Sequence, residues 1–227
     1  MVIAIVPARG GSKGVLRKNL RQVGGRPLVA HSLQAALDSE VVDEVYLSSE
    51  DAEILAIGRN QGVRLHTRSA AAASDIATAN DVVNDFLAAL PKSVVDADPF
   101  IVFLQPTSPL RTGKDIDAAF ALLEQCRAEL CISVLELSKT PFKAFSLDGE
   151  GRLQSLFGEE MTNANRQVLP KVYYPNGAIY IFPLRSFVDK SGFPSNGAVP
   201  YVMSERRSID VDSEEDLEAI EQLCRKN

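Results

Sequence analysis

With 227 residues, 45% of them hydrophobic, the chain can bury the core of one large α/β domain, and thirty acidic against twenty-four basic residues leave a formal net charge of −6. That balance argues against a nucleic-acid partner, which calls for a broad basic face. Three cysteines without C-x-x-C spacing and two histidines argue against a disulfide framework or structural zinc and point to a reducing cytoplasm, and no apolar run approaches the ~18 residues that span a bilayer.

Residues 2–6 read as a short buried strand that breaks into a glycine-rich loop, Pro7-Ala8-Arg9-Gly10-Gly11-Ser12-Lys13-Gly14. Between Met1 and Leu37 stand six cations (Arg9, Lys13, Arg17, Lys18, Arg21, Arg26) and no Asp or Glu, so an anion belongs here. The glycines and Ser12 allow backbone N–H groups to converge on a phosphate. The spacing is not that of a Walker A loop, since Val15 stands where the second glycine is required, nor of a dinucleotide fingerprint, since Ser12 and Val15 stand at the glycine positions. A flexible loop with solvated cations is the competing reading.

Pro27 opens a helix over 27–39 with Leu28, Val29, Ser32, Leu33, Ala36 and Leu37 on one stripe. A strand is expected at 44–48, a helix at 51–60 closed by Gly62, a strand at 63–65 and a helix at 78–90. Residues 100–104, Phe-Ile-Val-Phe-Leu, are the most apolar short run, as a strand buried on both faces requires, and are expected at the centre of the sheet. The polar loop from Gln105 to Arg111 follows, then a helix over 113–125 and a strand at 132–135. This alternation predicts an α/β fold with right-handed crossovers, a mostly parallel sheet and ligands at the carboxyl ends of the strands. It stops between about 136 and 173, too long for a simple loop, which reads as an excursion or hairpin arm, a lid or a dimer contact, on a single domain covering 1–227. Regular structure resumes at 176–182 and again at 208–212.

Asp210 and Asp212 flank Val211, and on an extended strand both carboxylates share one face. Such a pair beside a phosphate site suits Mg²⁺ (or Mn²⁺), which needs only one or two protein oxygens when substrate phosphates and water supply the rest. The bland alternative is an acidic strand end favoured by the dipole of the following helix, which Ser213 caps with Asp216. Arg68, Lys143 and Arg166 stand out of the acidic remainder, although a lone Arg usually pairs with a surface acid. His31 reads as a packing or hydrogen-bonding residue and Cys131 as a small buried one.

Four stretches in order, the loop from Pro7 to Gly14 with Lys18-Asn19, Gln105-Pro106-Thr107-Ser108-Pro109-Leu110-Arg111, Pro175-Asn176-Gly177-Ala178-Ile179-Tyr180-Ile181 and Ser208-Ile209-Asp210-Val211-Asp212, resemble the acylneuraminate cytidylyltransferases, or CMP-sialic acid synthetases. The resemblance covers about residues 2–223. It implies a three-layer Rossmann-like nucleotidyltransferase fold with a protruding dimerisation arm, and transfer of CMP from CTP to the C2 hydroxyl of a 3-deoxy-2-keto nonulosonic acid with release of pyrophosphate. By that resemblance Ala8, Arg9, Gly10, Gly11, Ser12, Lys18, Asn19 and Arg68 bind the nucleotide. Gln105, Thr107, Ser108, Lys143, Arg166, Tyr174 and Asn176 bind the sugar acid, with Lys143 and Arg166 serving the partner's site across a homodimer. Asp210 and Asp212 bind the metal, and Arg9, Lys18, Asp210 and Asp212 carry the catalysis.

The chain departs from that pattern at Tyr174, where the family places an Arg, and at Ala79, where a small hydroxyl residue can occur. Tyr174 removes a cation from the sugar-recognition region, so a legionaminic, pseudaminic or related acid is as compatible as N-acetylneuraminate. Two rival readings are a cytidylyltransferase for an eight-carbon acid such as Kdo and a non-catalytic nucleotide-binding homologue.

Overall fold

The first strand, β1 (Val2–Pro7), is apolar on both faces because both are covered. Val2, Ala4 and Val6 point into one core and Ile3 and Ile5 into another, the period-2 alternation of a pleated strand. We describe residues 1–12 and 14–225 from a computed structural model of the chain; Lys13 of the basic loop lies outside the described residues. After β1 come β2 (Gln22–Val23) and β3 (Arg26–Pro27), a small antiparallel ribbon, then α1 (Leu28–Leu37), β4 (Glu44–Ser49), α2 (Ala52–Asn60) and β5 (Arg64–Thr67). Next are α3 (Ala70–Ala73), α4 (Ala79–Ala89), α5 (Lys92–Asp96), β6 (Phe100–Phe103), α6 (Gly113–Gln125) and β7 (Cys131–Glu136). The chain continues with β8 (Phe145–Leu147), β9 (Leu153–Ser155), α7 (Glu159–Asn163), β10 (Tyr173–Pro183), α8 (Leu184–Lys190), β11 (Val199–Val202) and α9 (Glu214–Arg225).

Seven strands form the central sheet in the order β11-β7-β10-β6-β1-β4-β5, with β6 at its middle. Only β10 runs antiparallel to its neighbours, β6 and β7. The core of Val29, Leu33, Ile54, Ile116, Ala119 and Leu123 packs α1, α2 and α6 on one face, and Val83, Phe86, Leu184 and Phe187 pack α4 and α8 on the other. The layers are helix, sheet and helix. A third cluster of Val15, Val23, Leu28, Val211, Leu217 and Ile220 joins the basic loop, the β2/β3 ribbon and α9. Among the described residues no helix is long and apolar enough to cross a membrane.

Most expected elements are present with their ends moved by a residue or two, and the cause is capping. Pro27 and Asp51 sit at the N-caps of α1 and α2 rather than inside them, and Thr78 closes a capping box with Asp81 ahead of α4. The β2/β3 ribbon, α3, α5, α8 and β11 are additional; β11 is an edge strand carrying Pro200, which an interior strand would not tolerate. One expectation fails: residues 208–212 are not a strand. Their alternation is satisfied by Val211 burying in the third cluster and by one backbone bond, Val211 N–H to the Thr107 carbonyl at 2.9 Å.

Between β7 and β10 the excursion holds the β8/β9 hairpin, turned at Gly151 with φ +79°, then α7 and a 3₁₀ turn at Arg166–Val168. Phe145, Leu147, Leu153, Leu156, Phe157 and Val168 leave this arm with exposed apolar side chains. Elsewhere His31 gives a ring nitrogen to the Val23 carbonyl at 2.8 Å, and Cys131 is buried, its thiol pushed up to about 12 by desolvation.

Candidate active site

At the carboxyl end of β1 the loop is held in shape by its neighbours. The Ala8 N–H goes to the Ser48 carbonyl at 2.9 Å, the Gly10 N–H to Glu50 Oε1 at 2.6 Å, and Asn19 Nδ2 to the Arg9 carbonyl at 2.9 Å. Arg17, in the left-handed region with φ 51°, donates to Asp51 Oδ2 at 2.9 Å. Ser12 Oγ donates to the Val15 carbonyl and accepts the Lys18 N–H at 3.2 Å. A Cβ on Gly10 would crowd the Asp51 carboxylate, so glycine is needed there.

This loop walls a cleft of about 500 Å³ whose other sides come from the ends of β5 and β6, the 72–79 segment and the 210–212 segment. Arg9, Ser12, Lys18 and Asn19 line it from the loop, and Arg68, Gln105, Thr107, Asp210 and Asp212 from the rest of the chain. Arg9 Nη1 pairs with Asp75 at 3.1 Å. Lys18 Nζ donates to the Val211 carbonyl at 2.6 Å and to Asp212 Oδ1 at 3.0 Å. Arg68, only 6% exposed, donates through Nη2 to the Ser48 carbonyl at 2.8 Å and through Nε to Ser48 Oγ at 3.3 Å. Burial lowers its pKa, against the opposing pull of Glu50 and Asp85. Ala79 lines this cleft as well.

Removal from water raises the Asp210 pKa, opposed by a hydrogen bond from Thr107 and aided by repulsion from Asp212 and Asp216. A cation between Asp210 and Asp212 would relieve that repulsion. Among the described residues no group of three or more His, Cys, Asp and Glu could hold a metal. A pair of carboxylates is a donor set that fits Mg²⁺, which takes few protein oxygens, and does not suit a metal needing a full protein cage.

Behind the cleft, His66 Nδ1 lies 3.0 Å from Ser48 Oγ and Nε2 lies 3.5 Å from Asp85 Oδ2. Desolvation lowers the pKa of both His66 and His31 from 6.5. The unfolded chain therefore takes up protons before the folded one does, and stability that is complete above pH 6.5 declines as pH falls below it. The urea midpoint should accordingly be lower at pH 5.5 than at pH 7.5, and His66→Gln should shrink the difference; equal midpoints in the parent would refute the assignment.

A second cleft of about 400 Å³ opens beside the first, with Leu135, Tyr174, Asn176, Tyr180 and Ser208 in its walls. Gln105 and Asp210 belong to both clefts. Not every residue named from sequence faces them. Ala8 is fully buried, and Ser108, 1% exposed, spends its hydroxyl on the Asn176 carbonyl at 3.3 Å. Lys143 and Arg166 lie on the arm and line neither cleft within one chain. Two residues beside the clefts had no role assigned from sequence. Asp75 faces Arg9 with no motif to announce it. Arg111, 3% exposed, donates from Nη1 to the carbonyls of Ala178 at 2.7 Å and Gln105 at 3.2 Å, and desolvation takes its pKa down to about 9. Its place at the end of the Gln105–Arg111 loop was the available signal.

The family model described as cytidylyltransferase matches residues 3–172. The chain is 31% identical over 217 residues to N-acylneuraminate cytidylyltransferase of Streptococcus agalactiae serotype V, covering 95% of this chain and 51% of the relative. It thus spans about half the length of that relative. CMP-N,N'-diacetyllegionaminic acid synthase of Legionella pneumophila is 30% identical, covering 100% of this chain and 97% of the relative. The solved structure of CMP:2-keto-3-deoxy-manno-octonic acid synthetase complexed with CTP superposes with a TM-score of 0.71 at 15% identity, over 99% of this chain and 98% of that one, and so shares the fold. With its matched segment running from β1 to the end of the arm, the chain belongs to the cytidylyltransferase family.

Proposed function

We propose that the protein transfers CMP from CTP to the C2 hydroxyl of a 3-deoxy-2-keto nonulosonic acid of the sialic, legionaminic or pseudaminic type. The observation that carries this reading is the pair of adjoining clefts: one lined by Arg9, Lys18 and Arg68, the other by neutral side chains, with Gln105 and Asp210 shared between them. The first suits a triphosphate and the second a sugar body, and on this reading the reacting atoms meet near the shared residues. Relatives named for sialic and legionaminic acids support the choice of acceptor.

In the reaction the C2 oxygen forms a bond to the α-phosphorus, the bond from that phosphorus to the bridging oxygen breaks, pyrophosphate leaves and the hydroxyl proton is lost. Lys18 and Arg9 would hold the triphosphate and stabilise charge on the leaving oxygens, a task of positioning and electrostatics. Asp210 and Asp212 would hold Mg²⁺ (or Mn²⁺), which neutralises phosphate charge. Arg9 must leave Asp75, and Lys18 must leave Asp212, to meet phosphate oxygens. Arg68 fixes the end of β4 beside the nucleotide through its bonds to Ser48. We infer a cytoplasmic homodimer whose exposed apolar arm packs on its partner and brings Lys143 and Arg166 to the partner's small cleft, since among the described residues that cleft is lined by no cation for a carboxylate.

The test is incubation with CTP, Mg²⁺ and a panel of nonulosonic acids plus the eight-carbon acid Kdo, read by pyrophosphate release. Turnover is expected with one or more nine-carbon acids. Preference for Kdo would move the substrate class, and CTP binding with no release for any acid would favour a non-catalytic homologue.

A further inference from the structure

Opposite Ser133 the antiparallel pairing of β10 with β7 slips: Pro175 faces Val134 and Tyr180 faces Ile132, so residues 176–179 oppose Ser133 alone. Bulges of this kind re-aim side chains beside sites. Here the extra chain, with Gly177 at φ +77°, turns Asn176 inward, where it is 7% exposed. Its Oδ1 accepts from Ser133 Oγ at 2.6 Å and from the Ala178 N–H at 3.2 Å, and its Nδ2 donates to Ser208 Oγ at 2.9 Å. The Ala178 N–H can only donate, which fixes the carboxamide orientation. Ser208 Oγ passes its own hydrogen to the Ser204 carbonyl at 2.9 Å.

The 208–212 segment has no ladder to hold it. Asn176 anchors it at Ser208, Thr107 holds Asp210 by its side chain and the Val211 N–H by its carbonyl, and Lys18 holds the Val211 carbonyl and Asp212. The Asn176–Ser208 bond is thus the anchor on the amino-terminal side of Asp210. We propose that Asn176 is a positioning residue: through Ser208 it sets the place of Asp210 at the boundary of the two clefts, rather than binding the sugar acid as its motif suggests. The inference rests on the reading of Asp210 as a metal-binding carboxylate. Buried polar networks of this kind act as units, so removing either end of the Asn176–Ser208 bond should have the same consequence.

The experiment measures Mn²⁺ affinity in the presence of CTP by the electron paramagnetic resonance signal of free Mn²⁺, alongside the KM for the sugar acid. Asn176→Ala and Ser208→Ala should each weaken Mn²⁺ binding about fivefold, with the double variant no worse than either single one, as expected for partners in one bond. Ser208→Thr, which keeps the hydroxyl, should retain the parent Mn²⁺ affinity. Because Asn176 and Ser208 also line the smaller cleft, the acid KM is read beside the metal affinity and not in place of it. Ser208 lies outside the sheet, so its pair of variants decides the matter if Asn176→Ala does not fold. A raised acid KM with unchanged Mn²⁺ affinity in Asn176→Ala would overturn the proposal and make Asn176 a substrate contact. Weakened binding in Asp210→Asn but not in Ser208→Ala would also overturn it. Unchanged binding in Asp210→Asn would instead remove the metal reading beneath it.

Discussion

Replacing Lys18 by Met should lower kcat/KM by about 10²–10³-fold, the usual loss when a donor aimed at developing charge is removed. Lys18 is the lysine that lines the larger cleft among the described residues, and its ammonium is already held there by the Val211 carbonyl and Asp212. Met keeps the aliphatic stem and deletes the charge alone. Asp212, 75% exposed, stays solvated when its partner is lost, so no buried carboxylate is left uncompensated. The melting temperature should therefore move by only a few degrees while turnover collapses. Steady-state kinetics with CTP and the best acid of the panel, together with a thermal melt, check both halves. A loss of less than about tenfold would take Lys18 out of the reaction, since a charge-assisted contact to phosphate is worth more than that.

Continuous apolar runs and caps made the frame legible. Residues 2–6 and 100–104 could only be strands covered on both faces, and they are neighbours at the middle of the sheet. The 113–125 helix was legible to its ends because Thr112 and Asp115 form a capping box. The cationic loop could be read as an anion site by charge alone, and Arg9, Lys18, Gln105, Asp210 and Asp212 do converge on one cleft. What sequence spacing did not reveal were partners far apart in the chain. Ser108 and Asn176 look like polar loop residues available to a ligand, yet their partners are a carbonyl 68 positions away and Ser133 and Ser208. The alternation at 208–212 imitates a strand because Ile209 and Val211 pack toward α9 and not against a sheet. Arg68 looks like a lone surface Arg and is in fact buried on Ser48. Lys143 and Arg166 were placed by resemblance, and a single chain leaves both on the arm.

In the resting site two cations of the cleft are paired with carboxylates, Arg9 with Asp75 and Lys18 with Asp212. Those pairs keep the two side chains at the cleft without leaving their charges uncompensated. The close approach of the loop to residue 212 is what makes the pair of Lys18 and Asp212 possible, and it depends on Gly14.

Gly14→Ala should cost about 10²-fold in kcat/KM, the scale of loss that a displacement of ~1 Å at a reacting site produces. The obstacle is steric: a Cβ at Gly14 would collide with the Asp212 carbonyl oxygen, which is backbone and cannot rotate aside. Either the loop or the 210–212 segment must retreat, and Lys18 then loses its seat on Val211 and Asp212. Gly11→Ala provides the comparison, since among the described residues nothing lies within 4 Å of a Cβ there, and it should cost less turnover than Gly14→Ala and leave the Mg²⁺ requirement unchanged. Gly14→Ala should also need more Mg²⁺ for half-maximal rate, whereas a loop merely made stiffer would slow turnover without that shift. If Gly14→Ala and Gly11→Ala were equally active, the contact between loop and acidic segment would have no part in the reaction.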